Sequence, residues 1–282
     1  MQPAFCAVGT AWRRQTGPVR AADFAYFDAP TPIGLAHRGG AKVEANLRLE
    51  NTMTAFRHAV DLGYRYLETD VHATRDGQVV AFHDHVLDRV TDERGRIADL
   101  PWSAVREARV GGSEAIPLLS DLLEELPETR LNIDVKAAGA IEPLAAVVRA
   151  HDAVDRVCIG SFSRSRLRAV RALLGPAVAT AAGPSEVGVL RYAPRLVADW
   201  LRSPAAVLQV PTGHVVRGRR LDLVTPALVA RVHAMGKHVH VWTIDDADEM
   251  HRLLDLGVDG IVSDRIDTLA DVLAERGVPL GQ

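Results

Sequence analysis

Residues 67–85 read LETDVHATRDGQVVAFHDH. Side chains on a strand alternate between faces, so Glu68, Asp70 and His72 share one face. A turn at Asp76-Gly77 follows, and the apolar run VVAF then leads into His83 and Asp84. The link from residue 70 to residue 79 leaves no room for a crossover helix, so these two strands form an antiparallel hairpin. Two carboxylates on one face of a buried strand repel each other and are costly to bury unless paired or metal-bound. The stretch therefore demands a positive group between Glu68 and Asp70.

Outward from this hairpin, short apolar runs alternate with helix-length segments. The strand candidates are 33–37, 64–70, 79–83, 131–135, 157–161, 177–182, 206–210, 238–242 and 260–263. Amphipathic stretches lie between most of them, such as NTMTAFRHAVDLG and DADEMHRLLDLG, and Gly63, Gly236 and Gly257 close such stretches as helix C-caps do. Strand–helix alternation argues for α/β with a parallel sheet. Removing the hairpin return from the nine candidates leaves eight parallel strands, the number that closes a (β/α)8 TIM-type barrel. An open doubly wound sheet is the competing arrangement, but no GxGxxG turn follows a strand. Residues 1–30 are an N-terminal extension expected to wrap the outside of the barrel, which spans 31–282. The polar, charge-mixed segment at about 84–117 reads as a small insertion after the third strand, near the barrel mouth.

The 282 residues carry a net charge of −3, which gives no sign of a nucleic-acid partner. The only cysteines are Cys6 and Cys158, so no disulfide framework is expected and a reducing, cytoplasmic location is the natural reading. The N-terminus is a poor signal peptide, and no apolar run is long enough for a stable membrane insertion. Only three lysines occur, Lys42, Lys136 and Lys237, which draws attention to any that lies near a polar cluster.

Catalytic groups of such barrels project from the C-terminal ends of strands. Here those ends carry His37-Arg38-Gly39-Gly40, Glu68-Thr69-Asp70, His83-Asp84, Asp134-Val135-Lys136 and Trp242-Thr243. Each has a plain structural reading when taken alone: solvated carboxylates, a hydrogen-bonded histidine, a Lys136–Asp134 pair, an aromatic filler. Their gathering at one rim from distant segments favours a site. His238 and His240 read as packing or hydrogen-bonded groups, His72 and His85 as flanking groups, and RSRLRAVR at 164–171 as a solvated helix face.

The segments HRGG (37–40), ENT (50–52), LETDVHATRDGQVVAFHD (67–84), IDVK (133–136), GSF (160–162) and VWTIDDADEM with LGVDGIVSDR (241–265) resemble the glycerophosphodiester phosphodiesterase family, in order, from about residue 31 to about 272. The resemblance implies a (β/α)8 barrel. It implies that Glu68, Asp70 and Asp134 bind one divalent metal, Mg²⁺ or Ca²⁺, as all-oxygen ligation suits a hard cation. It makes His37 and His83 the general acid–base pair, Arg38 a phosphate clamp, and Lys136 a second cation beside it. Glu50 would orient His37, Arg38 or a metal-bound water, and Trp242 would wall the glycerol. Two departures stand out: the third carboxylate is Asp134 where the family more often has Glu, and about ten residues separate HRG from ENT. Glu44-Ala45-Asn46 within that loop is a weaker stand-in for ENT, since no helix start follows it.

The implied activity is metal-dependent hydrolysis of a small-molecule glycerophosphodiester to sn-glycerol 3-phosphate and an alcohol. The alternatives are a lysophospholipase D-type enzyme, which needs an apolar groove, and a non-catalytic ligand-binding barrel.

Overall fold

The computed structural model describes residues 18–194, 203–216 and 218–280. Cys6 and the first seventeen residues of the N-terminal extension lie outside the described residues. The strands are β1 (Ile33–His37), β2 (Tyr66–Ala73), β3 (Val79–Ala81), β4 (Arg109–Val110), β5 (Glu114–Ala115), β6 (Arg130–Val135), β7 (Val157–Gly160), β8 (Ala179–Thr180), β9 (Val207–Val210), β10 (Gly213–Val216), β11 (Arg219–Asp222), β12 (His238–Val241) and β13 (Gly260–Ser263).

Eight of them pair in parallel in the order β8-β7-β6-β2-β1-β13-β12-β9, while β3 returns antiparallel to β2. A parallel bridge from Ala181 to Val207 links the two outer strands, giving a nearly closed (β/α)8 barrel. Two hairpins, β4–β5 and β10–β11, were not among the strands expected from the sequence. Both are short, with polar residues on either side, so apolar periodicity does not reveal them.

Period-two alternation explains the two cores. On β2, Leu67 and Val71 point outward into the cluster shared with Phe56, Ile133 and Leu144, where helices such as Met53–Asp61 and Ile141–Ala150 bury their apolar stripes. The opposite face of β2 carries Tyr66 at the base, in the inner cluster, with Glu68 and Asp70 above it. The barrel interior thus grades from apolar at the base to charged at the C-terminal rim.

The N-terminal extension departs from expectation. Residues 18–30 do not run over the outside; they seal the N-terminal end of the barrel. Phe24, Tyr26 and Phe27 are buried against Leu35, Tyr66, Cys158 and Val207. The Phe27 ring centroid lies 5.0 Å from that of His238 and 5.9 Å from that of His240. Tyr66 Oη donates to the Tyr26 carbonyl at 2.8 Å, and Lys237 Nζ donates to the Val19 carbonyl at 2.8 Å. The sequence does not reveal this docking, because the strands that these three aromatic side chains meet lie far along the chain.

Residues beyond β3 fold back on the rim with a small core of their own, formed by Val80, Phe82, Leu87, Ile97, Val105 and Val110 among others. No described helix is long and apolar enough to cross a membrane.

Candidate active site

The rim of the barrel opens into a cavity of about 470 Å³ lined by His37, Arg38, Glu68, Asp70, His83 and Asp134, with Lys136 and Trp242 also on its wall. Register explains the convergence. His37 pairs with Glu68 across β1–β2, and Asp70 pairs with Asp134 across β2–β6, so the charged ends of three neighbouring strands stand side by side.

The turn after β1 is fixed by close packing. Arg38 has φ +50° and Gly39 φ +83°. A Cβ on Gly39 would lie 2.7 Å from the Ala55 Cβ, so only glycine lets the helix approach. Arg38 is held in its sparsely populated conformation by backbone bonds to Glu68 (N to O, 3.0 Å) and from Asn51 (N to Arg38 O, 3.0 Å).

Cations face the carboxylates. Arg38 Nε lies 3.0 Å from Asp70 Oδ2, and Lys136 Nζ lies 2.8 Å from Asp70 Oδ1 and 2.7 Å from Asp134 Oδ2. Burial alone would raise the Asp70 pKa, but Arg38 and Lys136 overcome it and hold the carboxyl below its usual range. The same carboxylates overcome the burial of Lys136 and raise its pKa. Glu68 has weaker partners, the Arg38 backbone N–H at 3.3 Å and His37 Nε2 at 3.7 Å. Burial, reinforced by the charge on Asp70, pushes its carboxyl up to about 7.

Each histidine has its own carboxylate. His37 Nδ1 lies 2.7 Å from Asp264 Oδ1, and its Nε2 lies 3.7 Å from Glu68 Oε2. Burial opposes the imidazolium of His37, but Glu68 and Asp264 outweigh it and the pKa is raised. His83 Nδ1 lies 2.6 Å from Asp84 Oδ1, and the loop carrying it is held by His72 Nε2, which donates to the His83 carbonyl at 3.0 Å. Asp84 in turn accepts from Arg89 Nε at 2.5 Å. Burial works against the Asp84 carboxylate, yet Arg89 and His83 bring its pKa down to about 2.

Glu50 stands behind the cavity wall. It accepts from Arg38 Nη1 at 3.2 Å and from Arg89 at 2.6 and 2.9 Å, so of its expected partners it contacts Arg38. Glu44-Ala45-Asn46 lies apart from these contacts: Asn46 Nδ2 donates to the Gly39 carbonyl at 2.8 Å, which supports the turn. Trp242 packs edge-to-face with Phe162, ring centroids 5.8 Å apart.

Several residues of the site were missed in the sequence. Asp264 and Arg89 are two. Asn51 is a third, donating to Asp70 at 3.3 Å and accepting from Thr69 Oγ1 at 2.8 Å. Its place within ENT was the available signal. Arg166 is a fourth. The arginine run at 164–171 is not wholly a solvated face, because Arg166 donates to the Lys136 carbonyl at 2.7 Å and Arg171 to Thr180 Oγ1 at 2.8 Å. His240 is buried packing but lacks the expected hydrogen bond on either ring nitrogen, and burial lowers its pKa.

The donor chemistry fits a hard cation. Glu68, Asp70 and Asp134 offer only oxygens, and Asp134 Oδ1 is buried with no hydrogen-bond partner. In the side-chain conformers present, Lys136 fills the space between Asp70 and Asp134, and among the described residues no three His, Cys, Asp or Glu groups surround one point.

Residues 37–268 match the model of the glycerophosphoryl diester phosphodiesterase family. The chain is 43% identical over 254 residues to a probable glycerophosphodiester phosphodiesterase 2 of Mycobacterium tuberculosis, covering 87% of this chain and 92% of that protein. It is 29% identical to a lysophospholipase D of Rattus norvegicus, over 85% of each. Among solved structures, an Oleispira antarctica phosphodiesterase in complex with the product sn-glycerol-3-phosphate superposes with a TM-score of 0.70 at 23% identity, covering 86% of this chain and 97% of that one.

Proposed function

The chain belongs to the glycerophosphoryl diester phosphodiesterase family, a family of phosphoric diester hydrolases, and on that premise we propose that it cleaves glycerophosphodiesters to sn-glycerol 3-phosphate and an alcohol by histidine acid–base catalysis. The observation that carries this reading is the pair of His–Asp couples, His37–Asp264 and His83–Asp84, opening on the same cavity as Arg38 and Lys136.

Arg38 and Lys136 neutralise the non-bridging phosphoryl oxygens, whose charge is what a phosphodiester most needs offset in the transition state. One histidine takes the proton from the attacking oxygen as the new P–O bond forms. The other gives its proton to the leaving alcohol oxygen as the old P–O bond breaks. Each Asp partner fixes which ring nitrogen carries the proton and stabilises the imidazolium. Glu50 and Arg89 hold Arg38 and Asp84 in place. A divalent cation, Mg²⁺ or Ca²⁺, bound by Glu68, Asp70 and Asp134 would add further charge neutralisation at the phosphate. Glu68 would be the ligand whose charge burial and Asp70 most disfavour in the cation's absence.

A second reading concerns the substrate's alcohol. Ala182, Val187, Tyr192, Val210 and Leu223 also line the cavity and form its apolar arm, and Tyr192 meets His214 on β10. That arm favours a lysophospholipid whose chain lies along it, in line with the rat lysophospholipase D among the relatives. A binding-only barrel is disfavoured, because nothing in the ligand-holding role requires two orienting carboxylates on two histidines.

The test is release of sn-glycerol 3-phosphate from glycerophosphocholine by purified protein, with EDTA and then with added Mg²⁺ or Ca²⁺. Release restored by metal supports both the reaction and the carboxylate site. A folded protein that releases nothing from glycerophosphocholine or lysophosphatidylcholine under any metal overturns the enzyme reading.

A further inference from the structure

Below Asp134 and Asp70, at the level of Glu68, the cavity wall carries two amides. Asn132 precedes Asp134 by two residues on β6 and therefore shares its inward face. Gln209 sits on β9, on the far side of β7 and β8. Gln209 Nε2 donates to Asn132 Oδ1 at 2.9 Å, so the pair spans the barrel interior. Both residues line the cavity, although Asn132 is only 6% exposed.

The pairing is incomplete in an informative way. Among the described residues, Asn132 Nδ2 and Gln209 Oε1 have no hydrogen-bond partner, yet neither is sealed off, so both face the cavity. Exchanging the orientation of both amides leaves the same complement, a free amide donor beside a free carbonyl acceptor. Ser161, a neutral polar group of the cavity just past β7, is already engaged: its hydroxyl donates to the Val135 carbonyl at 2.9 Å and accepts from Arg166 Nε at 2.8 Å. A free donor and a free acceptor on two paired amides match an alcohol, which both donates and accepts through one oxygen.

Depth fits as well. Two residues along β6 place Asn132 roughly 6.6 Å below Asp134, in register with Glu68 on β2. With phosphate at Arg38 and Lys136, a three-carbon alcohol reaches that level.

We infer that the Asn132–Gln209 pair is the specificity-determining element of the site and reads a hydroxyl of the glycerol moiety held at that level of the cavity. This rests on the phosphodiesterase reading above. Recognition by buried amides rejects an analogue that lacks the hydroxyl, because the amides are then left unpaired.

The experiment is calorimetric binding of sn-glycerol 3-phosphate and its two deoxy analogues, propane-1,2-diol 1-phosphate and propane-1,3-diol phosphate. Binding of products avoids any role of a substrate hydroxyl as nucleophile. Wild type should bind glycerol 3-phosphate roughly tenfold tighter than at least one analogue, the worth of one hydrogen bond. In Gln209→Met and Asn132→Leu that preference should shrink to within about twofold, with the analogue's own affinity little changed. Gln209→Ala, which adds no bulk, serves if Gln209→Met does not fold. Equal binding of all three ligands by wild type, or a preference that survives in the variants, overturns the inference. Release of sn-glycerol 3-phosphate from glycerophosphocholine, measured on the same wild-type preparation, separates the two levels. No release sinks the phosphodiesterase reading, whereas release with an unaltered hydroxyl preference sinks only the role of the amides.

Discussion

His37 Nδ1 and Asp264 Oδ1 lie 2.7 Å apart, joining the first strand of the barrel to the residue just past the last. Asp264 is itself held in place, with its Oδ2 3.4 Å from Lys42 Nζ and its backbone N–H donating to Asp245 at 2.9 Å. Although burial disfavours the charged ring, Glu68 and Asp264 keep the His37 pKa above the ordinary imidazole value. Asp264→Asn keeps an acceptor but removes one negative charge, so the His37 pKa falls. A base works deprotonated, so if His37 is the base the acidic limb of the kcat/KM profile moves to lower pH. If His37 is the acid, the alkaline limb moves to lower pH. The limb that moves assigns the role; a profile unchanged on both sides removes Asp264 from the mechanism.

The two histidines should each be worth about 10²-fold or more in turnover, the usual range for general acid–base catalysis. His37→Ala and His83→Ala are therefore expected to fall by at least that factor while remaining folded by circular dichroism. They should then part company on a diester with a nitrophenol leaving group, which needs little protonation. The variant lacking the acid recovers on that substrate, and the variant lacking the base does not. Near-wild-type rates for both on glycerophosphocholine contradict the assignment.

Asp134 is the carboxylate that departs from the family's usual glutamate, and its Oδ1 is buried without a partner. Asp134→Asn should weaken Mg²⁺ or Ca²⁺ binding in a calorimetric titration and raise the metal concentration needed to restore activity after EDTA. Asp134→Glu should retain metal-restored activity. Metal binding that is unaltered in Asp134→Asn removes this residue from the ligand set.

How much of this was legible beforehand depended on sequence distance. The carboxylates of β2 and β6 were readable because period-two alternation needs only two residues to reveal a shared face. The barrel was readable because one hairpin return, VVAF, accounted for the ninth strand. Asp264 was not, although SDR was noted, because an Asp before a helix looks like any capping residue until its partner 227 residues away is placed. Arg89 lies in a polar loop whose pattern carries no period, so nothing marked it as the bridge between Glu50 and Asp84. Phe24, Tyr26 and Phe27 showed their apolarity but not its target, which is the open end of a barrel built later in the chain.

That plug gives a stability prediction. Phe27 is buried at the barrel base against His238 and His240, far from the rim. Phe27→Ala should cost about 3–5 kcal/mol, the range for removing a buried aromatic. At roughly 2 °C per kcal/mol for a domain of this size, Tm should drop by about 5–10 °C. Activity per folded molecule at low temperature should hold. A melting curve identical to wild type shows that the extension merely rests on the barrel.

The apolar arm can be tested independently of the chemistry. Val187 is half-buried on the helix Pro184–Tyr192 and lines the cavity. A carboxylate there is compatible with water or a small choline head group but must be desolvated if an aliphatic chain lies over it, at a cost of several kcal/mol. Val187→Asp should therefore lower kcat/KM for lysophosphatidylcholine by about 10²-fold or more, since each 1.4 kcal/mol is a factor of ten. The rate with glycerophosphocholine should change little, because that alcohol ends before the arm. Equal losses on both substrates mean that the variant has disturbed the site as a whole and that the chain does not use the arm. Equal retention on both means that the chain leaves the cavity by another route, and Phe162, exposed beside Trp242, then becomes the residue to substitute.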